Sequence, residues 1–199
     1  MINEKEEGEI EDMKEGKEKL LRCFIAVEMP REVIDEVEEI QKLVKNKNFF
    51  YGKFTEPENL HLTLKFLGEI SEEKMQGVWD KLLTIRFSSF EVSLGNLGFF
   101  SKRAMRILWA KLLGKQLWEL QKAIDEKLTG LEFAKEERFM SHITIARIKK
   151  VINREKFIYY VKNLKHRPIK FEVKEFILKK SELTPDGPVY TDLKKFHLD

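Results

Sequence analysis

Hydrophobic residues in this chain follow two periods, and their alternation predicts a fold that contains both strands and helices. The run from Arg22 to Glu28 is short and almost continuously apolar, which is typical of a buried strand. A helix is predicted to start at Met29-Pro30, because apolar residues then recur every three or four positions. Its inward-facing positions are Val33, Ile34, Val37, Ile40, Gln41 and Val44, of which Gln41 alone is polar.

Strand and helix signals continue beyond this first helix. The segment from Phe49 to Phe54 and the turn Glu56-Pro-Glu-Asn-Leu lead into an alternating strand that starts at His61. Ser71 is followed by two glutamates, so it predicts the N-cap of a helix that ends at about Leu83.

The strand sequence His61-Leu-Thr-Leu is repeated later in the chain as His142-Ile-Thr-Ile. Successive side chains of a strand point to opposite faces, so the histidine and the threonine of each copy share one face. Phe90-Glu91-Val92 matches Phe171-Glu172-Val173 at the same offset that separates His61 from His142. Matches in the same order and at a constant spacing indicate an internal duplication.

Further relations extend the duplication. At this same offset, Leu108-Trp109 matches Val189-Tyr190, and the N-cap at Ser71 corresponds to Asn153 with a slip of one position. Arg22-Cys-Phe-Ile-Ala-Val also resembles Arg106-Ile-Leu-Trp-Ala-Lys, and each is followed by a helix, the second from about Lys115 to Leu128. The chain therefore predicts an α+β fold of two pseudo-twofold-related lobes of antiparallel or mixed sheet, with outer helices and a cleft between the lobes.

The N-terminal residues differ in net charge from the rest of the chain. Residues 1–20 carry eight acidic and four basic side chains, a net charge of −4, so the formal charge of +3 for all 199 residues leaves +7 for residues 21–199. We expect a flexible extension at 1–20 and a single bilobal domain at 21–199. A basic domain favours an anionic partner such as RNA, although scattered surface lysines produce the same count.

Composition narrows the class of protein. No apolar run approaches the roughly 20 residues of a membrane span, and the acidic N-terminus is unlike a secretory signal. The single cysteine, Cys23, excludes an internal disulfide and lies in an apolar run, which predicts a buried thiol. We expect a cytoplasmic monomer with no obligate protein partner.

The repeated histidines are the best candidates for chemistry. Two imidazoles on facing strands are suited to acid and base roles on a phosphate, whereas His166 and His197 lie in polar surroundings typical of the surface. A zinc site lacks a third ligand, since neither motif carries a carboxylate or thiolate on the histidine face. A serine nucleophile is disfavoured because the sequence has no Gly-x-Ser-x-Gly elbow.

Threonines and cations complete the candidate site. Thr63 and Thr144 are predicted to donate hydrogen bonds to a phosphate, and Lys65 and Arg147 are candidate cations. Strand alternation places Lys65 on the face of His61, and it places Arg147 opposite His142 unless the strand bends. Six aromatic residues either pack in the core or include a platform for a base: Phe54, Phe66, Phe99, Phe100, Trp109 and Tyr190.

The paired motifs His61-Leu-Thr-Leu-Lys-Phe-Leu-Gly and His142-Ile-Thr-Ile-Ala-Arg resemble those of the two-histidine phosphoesterase superfamily, and in particular its RNA 2′,3′-cyclic phosphodiesterase branch, historically called 2′-5′ RNA ligase. The resemblance runs from about Arg22 to Leu198 and includes Ser181-x-Leu-x-Pro-x-Gly-Pro-x-Tyr190. One departure is Ser141, where the family usually has proline.

This resemblance implies a metal-independent and cofactor-free hydrolase that opens RNA 2′,3′-cyclic phosphate ends to 2′-phosphomonoesters. His61 would be the proton donor, His142 the proton acceptor, and Thr63 and Thr144 the phosphate ligands. The partners would be RNA ends or small nucleotides with a cyclic phosphate. The alternatives are 2′-5′ RNA ligation or cleavage of another cyclic-nucleotide or 2′-5′ linkage at the same site, and a non-catalytic module that grips RNA ends.

Overall fold

The computed structural model describes residues 20–100, 104–185 and 187–199, and these residues form an α+β fold. All of the predicted extension except Leu20 lies outside the described residues. The strands are β1 Leu21–Glu28, β2 Phe50–Phe54, β3 His61–Ile70, β4 Phe90–Phe100, β5 Ile107–Leu113, β6 His142–Val151, β7 Lys170–Val173, β8 Glu175–Thr184 and β9 Gly187–His197. The α-helices are α1 Arg31–Lys45, α2 Glu72–Leu82, α3 Lys115–Leu128 and α4 Arg154–Asn163, with short 3-10 helices at Pro57–Asn59 and Thr129–Leu131.

The strands form one curled sheet in the order β7-β4-β5-β6-β3-β1-β8-β9, and β2 also pairs with β6. Every strand pairing among the described residues is antiparallel, so the sheet is not mixed. The strands β3 and β6 meet at Leu62 and Ile143. Further along β6, β2 takes the place of β3 and pairs with Ala146 to Val151. The sheet therefore opens into two lobes where the His-x-Thr strands meet.

The two lobes are related by a pseudo-twofold axis, as the repeat predicts. Leu62 lies opposite Ile143, and Glu91 lies opposite Glu172 in the pairing of β4 with β7. Both pairs join positions separated by the offset of the His-x-Thr motifs, and in antiparallel strands such positions face each other only if a twofold axis passes between them. The predicted duplication is confirmed at both places.

One predicted equivalence is wrong. Leu108-Trp109 in β5 does not correspond in space to Val189-Tyr190, because β9 pairs only with β8 whereas β5 lies between β4 and β6. The counterpart of β5 is β1: Ala26 lies opposite Thr63 in one lobe, and Trp109 lies opposite Thr144 in the other. Alternating apolar residues suit any half-buried strand, so this match did not identify which strands are neighbours.

The helices cover the outer faces of the lobes, and α2 and α4 start at the predicted N-caps Ser71 and Asn153. The side chain of Ser71 accepts a hydrogen bond from Lys74 N at 3.1 Å, and that of Asn153 accepts one from Lys156 N at 3.0 Å. These bonds satisfy backbone groups that a helix start leaves unpaired. No helix among the described residues is long and apolar enough to cross a bilayer.

Cys23 lies in β1 and its side chain is buried, as expected. Burial raises the pKa of this thiol to about 11, against a smaller opposing effect of the charge of Lys180. The thiol is therefore protonated and unreactive near neutral pH.

Candidate active site

A cavity of about 760 Å³ lies between the lobes, and the four side chains of the repeated motifs line it together. His61 and Thr63 reach it from β3, and His142 and Thr144 reach it from β6. All four are partly buried, while the alternating residues Leu62 and Ile143 are fully buried in the core. The strand alternation predicted for the motifs is therefore observed, and His166 and His197 lie outside the cavity lining.

Backbone carbonyls orient both imidazoles in the same way. His61 Nδ1 lies 2.8 Å from Asn59 O, and His142 Nδ1 lies 2.7 Å from Met140 O. A carbonyl only accepts hydrogen bonds, so each Nδ1 carries the proton that it donates. In the neutral rings this leaves both Nε2 atoms as acceptors. Each carbonyl belongs to the second residue before its histidine, so the repeat duplicates this orientation as well.

Burial keeps both histidines neutral. It lowers the pKa of His61 to about 4, and the charges of Lys179, Arg147 and His142 act in the same direction, while the bond to Asn59 opposes them. Burial also lowers the pKa of His142, with a contribution from Arg147. Desolvation disfavours the charged form of an imidazole, so both rings are bases near neutral pH when no anion is bound.

A β-bulge follows each threonine and reverses the strand alternation. Ile25 pairs with Lys65 and the next residue, Ala26, pairs with Thr63, so Leu64 is an extra residue in β3. In the same way, Leu108 pairs with Ala146 and Trp109 pairs with Thr144, so Ile145 is an extra residue in β6. One extra residue moves each later side chain to the other face. Arg147 consequently joins the cavity lining, although simple alternation placed it on the opposite face.

The same effect argues against the prediction that Lys65 binds phosphate. Lys65 borders the cavity, but it pairs with Ile25 of the core, and its ammonium is bonded to the carboxylate of Asp125 and to Ala134 O at 2.6 Å. The side chains of Lys65 and Asp125 are only 4% and 5% exposed. Alternation failed here because it assumes a regular strand, and the bulge at Leu64 turned this ammonium towards the protein interior.

The surroundings of the two imidazoles differ. The ring of His61 contacts those of Phe24 and Tyr190, with centroids 5.0 and 5.2 Å away, and its Nε2 lies 3.1 Å from Thr63 Oγ1. His142 contacts Phe100 edge to face at 4.7 Å. These neighbours come from strands that are distant in the sequence.

Sequence patterns missed two contributors to the His61 environment. Phe24 was assigned only to a buried strand, and Lys179 was not considered. Lys179 is buried, and its ammonium binds the carboxylates of Glu28 and Asp192, with 2.6 Å to Glu28 Oε1. A buried ion pair between strands leaves no local sequence pattern, so no signal pointed to it.

The six candidate aromatic residues divide between core and cavity. Phe54, Phe66, Phe100 and Tyr190 line the cavity, whereas Phe99 packs on the buried ring of Phe157. Trp109 packs against Phe100 outside the cavity lining. Phe66 is 70% exposed and occupies the position in β3 that Arg147 occupies in β6. The two equivalent positions therefore differ in chemistry, with an aromatic ring in β3 and a guanidinium in β6.

Within the described part of the chain, no three His, Cys, Asp or Glu side chains are grouped so that they could hold a metal ion. The side chains that converge on the cavity include imidazoles, hydroxyls, a guanidinium and aromatic rings. This set is suited to binding an anion and moving protons near it.

Comparison with known proteins agrees with this geometry. The family model for LigT-like phosphoesterases matches residues 27–109 and again residues 110–190. The two matches start as far apart along the chain as Ala26 and Trp109, the equivalent positions of β1 and β5. The model therefore divides the chain as the structure does, with one His-x-Thr strand in each half.

Proteins named RNA 2′,3′-cyclic phosphodiesterase are similar to nearly all of this chain. The one from Methanocaldococcus jannaschii is 35% identical over 178 residues, 88% of this chain and 100% of that protein. The one from Methanothermobacter thermautotrophicus is 34% identical over 183 residues, 89% of this chain and 99% of that protein. A crystal structure from Thermus thermophilus has a TM-score of 0.77 at 31% identity and covers 89% of this chain and 97% of its own. This chain therefore belongs to the LigT-like phosphoesterase family.

Proposed function

We propose that this protein hydrolyses RNA 2′,3′-cyclic phosphate ends to 2′-phosphomonoesters, without a metal ion. The observation that carries the proposal is the pair of imidazoles that share one tautomer and line one cavity with two threonine hydroxyls and Arg147. Relatives named RNA 2′,3′-cyclic phosphodiesterase, aligned over most of the chain, support the same reaction.

In the proposed reaction, water attacks the phosphorus atom from the side of His142. His142 Nε2 accepts the proton from the water as the new P–O bond forms. On the opposite side, the bond from phosphorus to the ribose O3′ breaks, and His61 Nε2 donates a proton to O3′. The products are a 2′-phosphate and a free 3′-hydroxyl. Proton transfer of this kind contributes typically about 10²- to 10⁴-fold to a rate.

His61 must gain a proton before it can act as the donor. Its pKa of about 4 in the free protein results first from burial and then from neighbouring positive charge, including Lys179 and Arg147. The cyclic phosphate is an anion, and an opposite charge close to an imidazole favours the imidazolium. Substrate binding therefore raises the pKa of His61, whereas His142 is already neutral and ready to accept a proton.

The phosphate is bound by hydroxyls and one guanidinium. Thr144 offers one O–H donor, and the O–H of Thr63, which donates to His61 Nε2 in the free protein, becomes available to the phosphate when His61 gains a proton. Arg147 supplies a positive charge at the same cavity. These donors stabilise the additional negative charge that develops on the phosphoryl oxygens as water attacks.

The RNA is recognised through aromatic rings that line the cavity. Phe66 is exposed at the position equivalent to Arg147, so we infer that a nucleobase next to the cyclic phosphate stacks on it. The site needs residues from both lobes, so residues 21–199 act as one domain, and we infer a monomer. The free buried Cys23 fits a reducing compartment such as the cytoplasm.

The test is end-group analysis of a short RNA that carries a 2′,3′-cyclic phosphate, after incubation with chelator-treated protein. We expect a 2′-phosphate product, and His61→Ala and His142→Ala should each lower turnover by about 10²- to 10⁴-fold. A folded wild-type protein that binds this RNA and leaves it intact would instead indicate a non-catalytic module for RNA ends.

Ligation is a second candidate activity at the same site. The two imidazoles have the same tautomer and each directs Nε2 away from its carbonyl partner, so either one is able to donate or accept after exchange of one proton. In ligation a 5′-hydroxyl replaces water as the nucleophile: its oxygen forms the new bond to phosphorus and loses its proton to His142, the P–O3′ bond breaks with a proton from His61, and a 2′-5′ linkage results. The same assay with an added 5′-hydroxyl RNA separates the two products.

A further inference from the structure

Two buried or half-buried polar residues on the helices occupy equivalent positions in the two lobes. The inward positions of α1 and α3 correspond at one constant offset, with Val33 equivalent to Leu117 and Val44 equivalent to Leu128. The same offset relates Gln41 to Asp125. Both side chains lie where an apolar residue is expected, and neither belongs to the cavity lining.

Gln41 connects its own lobe to the bulge of the other lobe. Its Nε2 donates hydrogen bonds to Thr55 O at 2.8 Å and to Ile145 O at 3.1 Å. Thr55 N also donates to Ile145 O, at 2.9 Å. Ile145 is the bulge residue of β6, two positions before Arg147. Gln41 thereby joins the loop that precedes β3 to the bulge that turns Arg147 into the cavity.

Asp125 makes the corresponding connection in the second lobe through a charged carboxylate. One carboxylate oxygen binds Lys65, which follows the bulge residue Leu64 of β3. The other oxygen accepts hydrogen bonds from Glu136 N at 2.8 Å and Gln121 Nε2 at 2.7 Å. Glu136 is equivalent to Thr55 at the offset of the His-x-Thr motifs. It belongs to the loop that leads to Met140, whose carbonyl orients the imidazole of His142.

The two connections therefore share one plan, which we call the lobe clamps: Gln41 with Thr55 and Ile145, and Asp125 with Lys65 and Glu136. Each clamp holds a loop of its own lobe and a bulge on the motif strand of the opposite lobe. These are the segments that set the position of Arg147 and the orientation of His142. The two side chains suit their different partners. The neutral amide of Gln41 donates to carbonyls, whereas the charged carboxylate of Asp125 accepts from an ammonium and from N–H groups.

We propose that the lobe clamps position the phosphodiesterase site, Gln41 by holding Arg147 and Asp125 by holding His142, an inference that rests on the proposed function. Misplacement of a reacting group by about 1 Å can cost about 100-fold in rate, so loss of a clamp reduces activity in a protein that remains folded. Gln41 and Asp125 are positioning residues, since neither reaches the cavity.

The test compares Asp125→Asn and Gln41→Leu with a matched control, Glu36→Gln. Glu36 is also a buried carboxylate on a helix, and it accepts hydrogen bonds from Arg167 N at 2.8 Å and Arg167 Nε at 2.5 Å. Neither Glu36 nor Arg167 lines the cavity. The control therefore removes an interaction of the same chemistry at a place remote from the reaction.

Asp125→Asn is expected to lower kcat about 10- to 100-fold with a small change in KM, because it loosens the loop that orients His142. In ¹⁵N NMR spectra, the His142 imidazole should lose its pure Nδ1–H tautomer signature. Gln41→Leu should mainly raise KM, by about 10-fold, through Arg147. Glu36→Gln should keep the wild-type kcat, KM and imidazole spectrum, whatever its effect on Tm.

A folded Asp125→Asn protein with wild-type kcat and a wild-type His142 spectrum would overturn the inference. If Asp125→Asn does not fold, the double variant Lys65→Met/Asp125→Asn replaces it, because removal of both charges leaves no unpaired buried ion. If the wild type hydrolyses no cyclic phosphate, the proposed function fails, and the spectra of His142 and the control still decide whether the clamp exists.

Discussion

The two halves of the cavity share a backbone plan and differ in their electrostatics. In both halves the carbonyl of the second residue before the histidine accepts its Nδ1 proton, and a threonine follows on the same strand face. Around His61, however, two aromatic rings pack against the imidazole and a buried lysine lies nearby. His142 packs against the ring of Phe100, and Arg147 of the same strand lines the cavity.

This comparison shows that a duplicated motif lies in two different surroundings. Repetition of strand and turn gives both imidazoles the same hydrogen bond from Nδ1 to a backbone carbonyl. The neighbours that make the two surroundings different come from β1, β8 and β9 in one lobe and from β4 and β6 in the other. The proposed donor and acceptor roles therefore depend on these neighbours and not on the repeated motif.

The largest effect is expected from removal of either imidazole. His61→Ala and His142→Ala should each lower kcat for hydrolysis of a cyclic-phosphate RNA by about 10²- to 10⁴-fold, because each removes one proton transfer. His166→Ala is the matched control and should retain wild-type activity, since His166 lies outside the cavity lining. Activity that survives either of the first two substitutions would show that the halves do not have complementary roles.

The pH dependence of folding stability should reflect the low pKa of His61. The unfolded protein protonates His61 at about pH 6.5, whereas the folded protein does so only at about pH 4. The unfolded state therefore binds more protons at this residue between these values, and His61 alone lowers the folding stability by about 3 kcal/mol as pH drops from about 6.5 to about 4. Chemical denaturation at several pH values measures this loss, and NMR titration assigns it to His61.

The role of Lys179 can be tested in the same titration. Lys179→Met removes a positive charge that disfavours the imidazolium, so the NMR pKa of His61 should rise while that of His142 changes little. An unchanged His61 titration would show that the charge of Lys179 does not contribute to the low pKa of His61.

Arg147→Met should lower activity less than removal of either imidazole. A charge-assisted hydrogen bond contributes about 1.5–3 kcal/mol, so kcat/KM should fall about 10- to 100-fold. Arg106→Met provides the control, because Arg106 is an exposed cation near the same strands whose guanidinium donates to Lys149 O outside the cavity. Equal losses in the two variants would attribute the effect to overall charge and not to the cavity.

Phe66→Ala should have a smaller and substrate-dependent effect. Base stacking is worth about 1–3 kcal/mol, so KM for a cyclic-phosphate RNA should rise about 5- to 100-fold while KM for a base-free ribose cyclic phosphate stays constant. Phe66→Tyr keeps the ring and should restore the RNA value. A uniform change for both substrates would argue against stacking on this ring.

Removal of metal ions should have the smallest effect. We expect incubation with EDTA to leave kcat and KM unchanged, because protonated and neutral imidazoles supply the acid and base. The measurement is turnover before and after dialysis against the chelator. A loss that Mg²⁺ or Zn²⁺ restores would contradict the proposed chemistry.

Local patterns were enough to predict the elements and the four motif residues. The His-x-Thr units, the N-caps at Ser71 and Asn153, and the helix from Lys115 to Leu128 depend on side-chain alternation and capping, which act over short stretches of chain. The constant spacing of the repeat also predicted that β3 and β6 face each other, as equivalent strands do across a twofold axis.

Errors arose where a single position changes the register. Strand alternation selected Lys65 and disfavoured Arg147, and the bulges at Leu64 and Ile145 reversed both assignments. A bulge depends on the partner strands and on the bonds that Gln41 and Asp125 make near it, and none of these is close in the sequence. The match of β5 to β9 failed for a related reason, because half-buried strands share one pattern.

The amino-acid sequence by itself determined that the chain is duplicated, that two His-x-Thr strands carry the candidate chemistry, and that the thiol of Cys23 is buried. Only the tertiary structure decided that Arg147 lines the cavity while the ammonium of Lys65 binds Asp125, which rings surround each imidazole, and how Gln41 and Asp125 connect the lobes. The physical reason is range: alternation and capping are local, whereas bulges, buried ion pairs and desolvation arise from residues that meet only when the two lobes close around the cavity.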